Sequence, residues 1–276
     1  MALKNVVDEN GALIGKMVPV DKNYVIIHKK SLEGFKQKIE DRNTPNFIKC
    51  FTNEIKKLTH LTLTQCGYLL HILTFMNLDK EGYLIAEEQF LTQKKICEQL
   101  GIKGRARQSE LFKTLITCGL IVKEGQKIKI SEKYHAMGET TKKKFAKLHL
   151  ESTRQLFKKL KHREVGMIYK LLPYVNRKYG VICSNPEEEE MGKIHFLSQD
   201  ELAELVVEDE RTISKSMKAL DQASAALVIK AGKTDNFIIH PDFVMRMKWS
   251  HREALLTFFQ LNEAKRKYAR NRTCKK

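Results

Sequence analysis

Residues 196–220, FLSQDELAELVVEDERTISKSMKAL, decide how this chain is read. Ser198 stands where a helix N-cap belongs, and a short acidic helix follows it. A turn of acidic residues comes next, and a second helix rich in Lys and Ser closes the stretch. Alone, the stretch fits a helix-turn-helix or a surface helical hairpin equally well.

An earlier segment narrows the choice, because a repeat limits the architecture before any motif is interpreted. Phe90-Leu91-Thr92-Gln93 aligns with Phe196-Leu197-Ser198-Gln199, Gly67 with Gly166, and Gly82 with Gly180. Leu111, Phe112 and Leu115 correspond roughly to Ile213, Met217 and Leu220, and GLIVKEGQKIKI at 119–130 resembles ALVIKAGKTDNFII at 226–239. Each copy opens on a helix with apolar residues at helical spacing (Tyr68, Leu69, Ile72, Leu73, Met76; Met167, Ile168, Leu171, Leu172). A Gly turn and a short apolar strand follow, then two helices. Two β-type runs around a Gly turn complete the copy as a hairpin. Helix, strand, helix, turn, helix, hairpin is the order of a winged helix-turn-helix domain.

In such a domain the last helix enters the major groove and the hairpin reaches neighbouring phosphates. For helix 104–117, Leu111, Leu115 and Ile116 are expected to face the core, leaving Arg105, Arg107, Gln108 and Lys113 outward. Arg pairs bidentately with guanine and Gln with adenine, which makes Arg105, Arg107 and Gln108 the expected base readers. In the second copy Ile213, Met217 and Leu220 face inward, leaving Arg211, Thr212, Ser214, Lys215 and Lys218, a set suited to phosphates. Lys123, Gln126 and Lys127 mark the first hairpin; Lys230, Lys233, Thr234 and Asn236 mark the second. The first copy is expected to choose the sequence and the second to clamp the duplex.

Residues 1–60 read as an N-terminal extension, with a β-hairpin about Asn10-Gly11 and helices in SLEGFKQKIE and FIKCFTNEIKKL. Residues 61–138 form the first winged unit and 165–248 the second. Between them, 139–164 read as a basic linker helix: residues 140–164 hold nine Lys or Arg against two Glu, with Phe145, Leu148, Ser152, Leu156 and Leu160 at steps of three and four. Residues 249–276 read as a C-terminal helix and basic tail. The expected fold is therefore mostly α with small β-hairpins (α+β), as tandem winged helix-turn-helix domains joined by a basic helix.

The bulk numbers agree with this plan. The 276 residues leave room for two cores. Fifty Lys and Arg against 33 Asp and Glu give a net charge of +17, which favours a polyanionic partner. No apolar run approaches the roughly 20 residues that span a bilayer, and the N-terminus lacks the apolar stretch of a signal peptide. The six scattered cysteines, with no C-x-x-C pair, read as reduced thiols of a cytoplasmic protein. Neither phosphate-binding Gly-rich loop, nor H-E-x-x-H, nor G-x-S-x-G occurs, and Cys and His lack zinc-finger spacing. His71, His195 and His240 read as structural residues, and Glu187–Glu190 as part of a solvated loop. The expectation is a non-enzyme without cofactor, metal or catalytic residues.

VDENGALIG at 7–15, NFIKCFTNEIKKL at 46–58, GLIVKEGQKIKISEKY at 119–134, KLLPYVNRKYGVICSNP at 170–186, IHFLSQDELAEL at 194–205 and FIIHPDFVMR at 237–246 carry a resemblance. Together they are similar to the RepL-like winged-helix replication and regulatory proteins of Firmicute plasmids and phages. The resemblance implies sequence-specific duplex DNA binding by a transcriptional regulator or replication initiator. Homodimerisation and contacts with replication or transcription proteins stand as further partners, and no membrane. A winged-helix protein–protein adaptor is the alternative.

Overall fold

The computed structural model describes residues 4–20, 23–28, 46–77, 81–138, 140–142, 144–231, 234–246 and 252–273. The chain divides into two compact units, Met1–Pro45 and Asn46–Lys276. It is a mixed α and β protein with small antiparallel sheets.

The first unit is a three-stranded antiparallel sheet, β1 (Lys4–Val7), β2 (Leu13–Val20) and β3 (Asn23–His28). The Asp8 carboxylate accepts from the Asn10 and Ala12 N–H groups at 2.9 and 2.8 Å. Gly11, at φ +78°, supplies the left-handed residue that this turn needs. The expected hairpin is present; SLEGFKQKIE lies outside the described residues.

The second unit contains two copies of one chain path. The first copy runs β4 (Phe47–Phe51), α1 (Thr52–Ile55), α2 (Leu63–Leu73), β5 (Ile85–Ala86), β6 (Gln89–Phe90), α3 (Gln93–Gln99), α4 (Arg105–Thr117), β7 (Ile121–Glu124), β8 (Lys127–Ile130) and β9 (His135–Ala136). The second runs β10 (Phe145–His149), α5 (Leu150–Phe157), α6 (His162–Leu171), α7 (Gln199–Val206), α8 (Glu210–Gln222), β11 (Ala226–Ala231), β12 (Thr234–Ile239) and β13 (Val244–Met245). The pairing of β5 with β6 is matched by a single bridge, Cys183 to Phe196, and just before it Val181 bridges Ile238. In the first copy Tyr83 bridges Lys129 in the same way, so in both copies the strand after the opening helix lies against the hairpin. A long helix, α9 (Arg252–Thr273), ends the described chain.

The repeat begins earlier than the sequence reading placed it. Residues 47–60 belong to the first copy, not to an N-terminal extension, and 139–164 do not form a linker helix. Phe145–His149 is a strand, and Leu150–Phe157 is a separate helix of eight residues. Phe47–Phe51 is likewise a strand, where a helix was expected. The cause is packing: Ile48, Cys50, Ala146 and Leu148 are fully buried, and the two buried backbones satisfy their N–H and C=O groups by pairing with each other.

That pairing is symmetric. β4 and β10 run antiparallel with Phe47 opposite His149, Ile48 opposite Leu148, Lys49 opposite Lys147, Cys50 opposite Ala146 and Phe51 opposite Phe145. Exchanging the two strands returns the same register about Lys49 and Lys147. On the outer edges β9 pairs at Lys49 and Cys50, and β13 at the twin residues Lys147 and Leu148, giving the order β13-β10-β4-β9. Phe51 N–H donates to Tyr134 C=O and its twin His149 N–H to Phe243 C=O.

The opening helices repeat the symmetry. α2 starts at a capping box in which Thr62 and Gln65 exchange side-chain bonds with each other's N–H. It crosses α6 backbone to backbone. A Cβ on Gly67 would lie 1.8 Å from the His162 carbonyl oxygen, and one on Gly166 would lie 1.8 Å from that of Leu63. Both carbonyls stand four residues before the opposing glycine, so each glycine makes room for the same point of the other helix. Beside the crossing, His71 Nδ1 and His162 Nε2 are 3.0 Å apart, and the His71 ring stacks on Phe157 at 4.2 Å. Burial, with His162 adding to it, pushes the His71 imidazole down to about 4.

One hydrophobic core runs from Ile48 to Val244 through both copies, where two cores were expected; a small satellite gathers Val181, Cys183, Ile194, Leu227, Ile238 and Phe259. The close glycine crossing lets apolar residues of both copies pack into this single core. Within this core Tyr169 Oη lies 3.0 Å from His135 Nε2, and burial holds that imidazole down to about 3. None of the five described cysteines forms a disulfide, and burial pushes the Cys66 thiol up to about 12.

Candidate nucleic-acid interface

The helix pair α3–α4 and its twin α7–α8 are built by the same local devices. Thr92 Oγ1 accepts from the Lys95 N–H at the start of α3, and Ser198 forms a capping box with Glu201 at the start of α7. Each first helix ends on a left-handed residue, Gly101 (φ +67°) and its twin Val207 (φ +55°). Leu120 N–H then returns to Leu115 C=O after α4, and Ala225 N–H to Leu220 C=O after α8, which aligns the two helices residue for residue. Phe112 and Leu115 match Met217 and Leu220. Leu111 matches the buried Ser216, and Gln108 matches the buried Ile213.

This alignment corrects the outward faces. On α4 Phe112 is buried where Ile116 was expected to be; Ile116 is 44% exposed. Gln108 is half-buried, and its Nε2 donates to the Ile102 carbonyl at 2.8 Å, tying the helix to the turn before it. It is a turn lock rather than a free adenine reader. The stripe opposite the core is Ala106, Ser109, Glu110, Lys113 and Thr117, with Arg105 and Arg107 exposed at its first turn. Leu111 and Leu115 are buried as expected, but sequence reasoning missed Ala106, Ser109 and Glu110 because it took Ile116, rather than Phe112 and Gln108, as the rest of the inward face.

On α8 the twin stripe is Arg211, Ser214, Lys215, Lys218 and Gln222, all exposed. Thr212 is not among them. It is 7% exposed, and its hydroxyl is engaged at both ends. It donates to the Asp209 carboxylate at 2.7 Å and accepts from Arg163 Nη2 at 2.8 Å. Asp209 caps α8 through the Thr212 N–H at 2.8 Å, and these two bonds hold its carboxyl below the usual range. Thr212 is therefore part of the helix start.

The hairpins differ in what is described. β7 and β8 close around Gly125 and Gln126, with Glu124 opposite Lys127. The Lys127 ammonium lies 4.0 Å over the Phe90 ring, and Lys129 lies 5.6 Å over Tyr83, whose hydroxyl donates to Glu124. Lys127, beside the hairpin turn, is thus seated on the exposed Phe90 ring of β6, a cluster that sequence reasoning did not register. Lys233 lies outside the described residues, as do the side chains of Lys230 and Thr234.

Charge separates the copies. Residues 92–117 hold six Lys or Arg against two Glu, whereas 198–222 hold three against seven Asp or Glu. Lys94, Lys95 and Arg105 have Asp200, Glu201 and Glu210 as twins. The first copy carries five of its six cations around the starts of α3 and α4 and only Lys113 on the outward stripe, whereas the second carries all three on the outward stripe of α8. Among the described residues no helix is long and apolar enough to cross a membrane, and no group of three or more His, Cys, Asp or Glu is placed to hold a metal ion. Compared with known protein families, curated proteins and solved structures, the chain has no match.

Proposed function

We propose that this chain is a non-enzymatic, sequence-specific duplex-DNA-binding protein built from two winged helix-turn-helix units, serving a phage or plasmid as transcriptional regulator or replication initiator. The observation that carries this reading is the pair of matched helices, α4 and α8. Each presents an exposed stripe: Ser109, Lys113 and Thr117 with Ala106 and Glu110 on α4, and Arg211, Ser214, Lys215, Lys218 and Gln222 on α8. Such a stripe suits base edges, and the surrounding Lys and Arg suit phosphates. The assignment to replication or regulation of phage or plasmid rests on the family resemblance of the sequence.

In the first copy Arg105 and Arg107 approach the duplex beside the helix start, and Lys113 lies along the groove-facing stripe. In the second copy Arg211, Ser214, Lys215 and Lys218 form the stripe. Lys127 stands on the first hairpin as a wing contact, and Lys233, outside the described residues, is its proposed counterpart. A second reading, a protein–protein adaptor, is favoured by one feature: the acidic surround of α8, including Asp200, Glu201 and Glu210.

Binding of a random duplex pool, followed by salt titration of the selected sequences, tests the proposal. Duplex binding with log K falling linearly in log salt is expected, with a slope of about −0.9 per phosphate neutralised. Failure to select any sequence, or affinity indifferent to salt between about 50 and 200 mM, would count against it.

A further inference from the structure

We infer that a single chain occupies an inverted pair of unequal DNA half-sites. The inference rests on the DNA-binding reading above and adds the symmetry and stoichiometry of the site.

The two copies are related as partners of a two-fold dimer are, not as beads in a row. In a head-to-tail array one surface of a unit meets a different surface of the next, whereas in a two-fold contact the same patch meets itself. Here the same patch meets itself three times over. Lys49 lies opposite its twin Lys147, with the flanking pairs exchanging symmetrically. The outer strands β9 and β13 attach at twin positions. Gly67 faces the His162 carbonyl, as Gly166 faces that of Leu63. The axis implied by these contacts carries α4 onto α8. Helix-turn-helix proteins with two-fold symmetry read inverted half-sites, since operator symmetry mirrors protein symmetry. In most of them the axis lies between two chains; here it lies within one.

The half-sites are unequal because the stripes are. Only Ser109 with Ser214 and Lys113 with Lys218 are shared; Ala106, Glu110 and Thr117 stand where the second copy has Arg211, Lys215 and Gln222. A glutamate in a major groove accepts from the cytosine amino group, whereas a lysine donates to guanine, so the twin positions Glu110 and Lys215 select different bases.

The test is sequence selection with the full chain, joined to native mass spectrometry of the protein on its selected duplex. The expected result is one chain per duplex and two dissimilar half-sites in inverted order. Scrambling two base pairs in either half-site should weaken binding by at least about thirtyfold. The double variant Ala106→Arg with Glu110→Lys gives the first stripe two residues of the second, and both positions are exposed. Its selected first half-site should converge on the second, making the site more nearly palindromic. A direct repeat, a lone half-site, or two chains per site would overturn the inference while leaving DNA binding intact. No selected sequence at all would overturn the functional reading with it.

Discussion

Lys49 lies directly opposite Lys147 at the centre of the four-stranded sheet, each lysine facing its own counterpart from the other copy. Both ammonium groups have aromatic rings beneath them, Lys49 over Phe145 at 5.3 Å and Lys147 over Phe47 at 4.9 Å. Each lysine therefore covers the first residue of the opposite strand. The relationship places a pseudo-two-fold axis inside one polypeptide, and the proposed activity follows from where that axis carries the two outward helices.

The glycine crossing is the most sensitive point of this arrangement. Gly166→Ala, or Gly67→Ala, puts a methyl group against a helix backbone that cannot give way locally. We expect a loss of about 3 kcal/mol or more in urea unfolding. Gly101→Ala, at a left-handed position with open space around it, should cost only about 1 kcal/mol. Equal losses at the two kinds of site would refute the close crossing.

Val207 is a β-branched residue at φ +55°, 63% exposed, where its twin is Gly101. Such a residue is strained in the left-handed region, and burial offsets none of the strain. Val207→Gly should stabilise the chain by about 1 kcal/mol, read as a higher urea midpoint at unchanged m-value. A lower midpoint would show that the strain is absent.

Acid should weaken the fold through His135 and His71. Their folded values, about 3 and about 4, lie below the ordinary 6.5, so the unfolded chain takes up protons first as pH falls. Stability is then full above pH 6.5 and declines below it. His135 should contribute a slope approaching about 1.4 kcal/mol per pH unit, and the partly exposed His71 less. Urea midpoints measured between pH 6.5 and 5, above the titration of ordinary carboxylates, should fall steadily. The pH slope should shrink in His71→Phe, and a flat profile in the parent protein would contradict the burial argument.

Thr212 builds the start of α8, whereas Lys215 is proposed to contact DNA, so variants of the two should separate these roles. Thr212→Val keeps the shape but removes a hydroxyl that joins Asp209 to Arg163, and should cost about 1–3 kcal/mol of stability. DNA affinity, measured well below the melting temperature, should stay unchanged. Lys215→Ala should do the reverse. If Thr212→Val altered the selected sequence at full folding, the assignment of its hydroxyl to the helix start would fail.

Much of this was legible in the sequence, and the failures have physical causes. The helix pairs and hairpins were visible because N-caps, a Gly turn and apolar spacing all point one way in both copies. β10 was not, because Phe145-Ala146-Lys147-Leu148-His149 is too short for period two to be distinguished from period 3.6, and it sits in a basic run that resembles a solvated helix. The missed signal was Phe-x-Lys at 47–49 repeated at 145–147. The outward stripes were misplaced for a related reason. Gln108 is polar at an inward position and Ile116 apolar at an outward one, so binary patterning errs at both.

The measurement that tests the account most directly is the salt dependence of binding to the selected duplex for the parent chain and for Arg211→Ala, Lys215→Ala and Lys218→Ala combined. Loss of three cations from the α8 stripe should weaken binding and lower the salt slope by about 0.9 for each phosphate contact removed. It should also relax sequence preference in one half-site only. An unchanged slope, affinity and selected sequence would contradict a reading role for α8, and with it the two-fold DNA reader inferred from this fold.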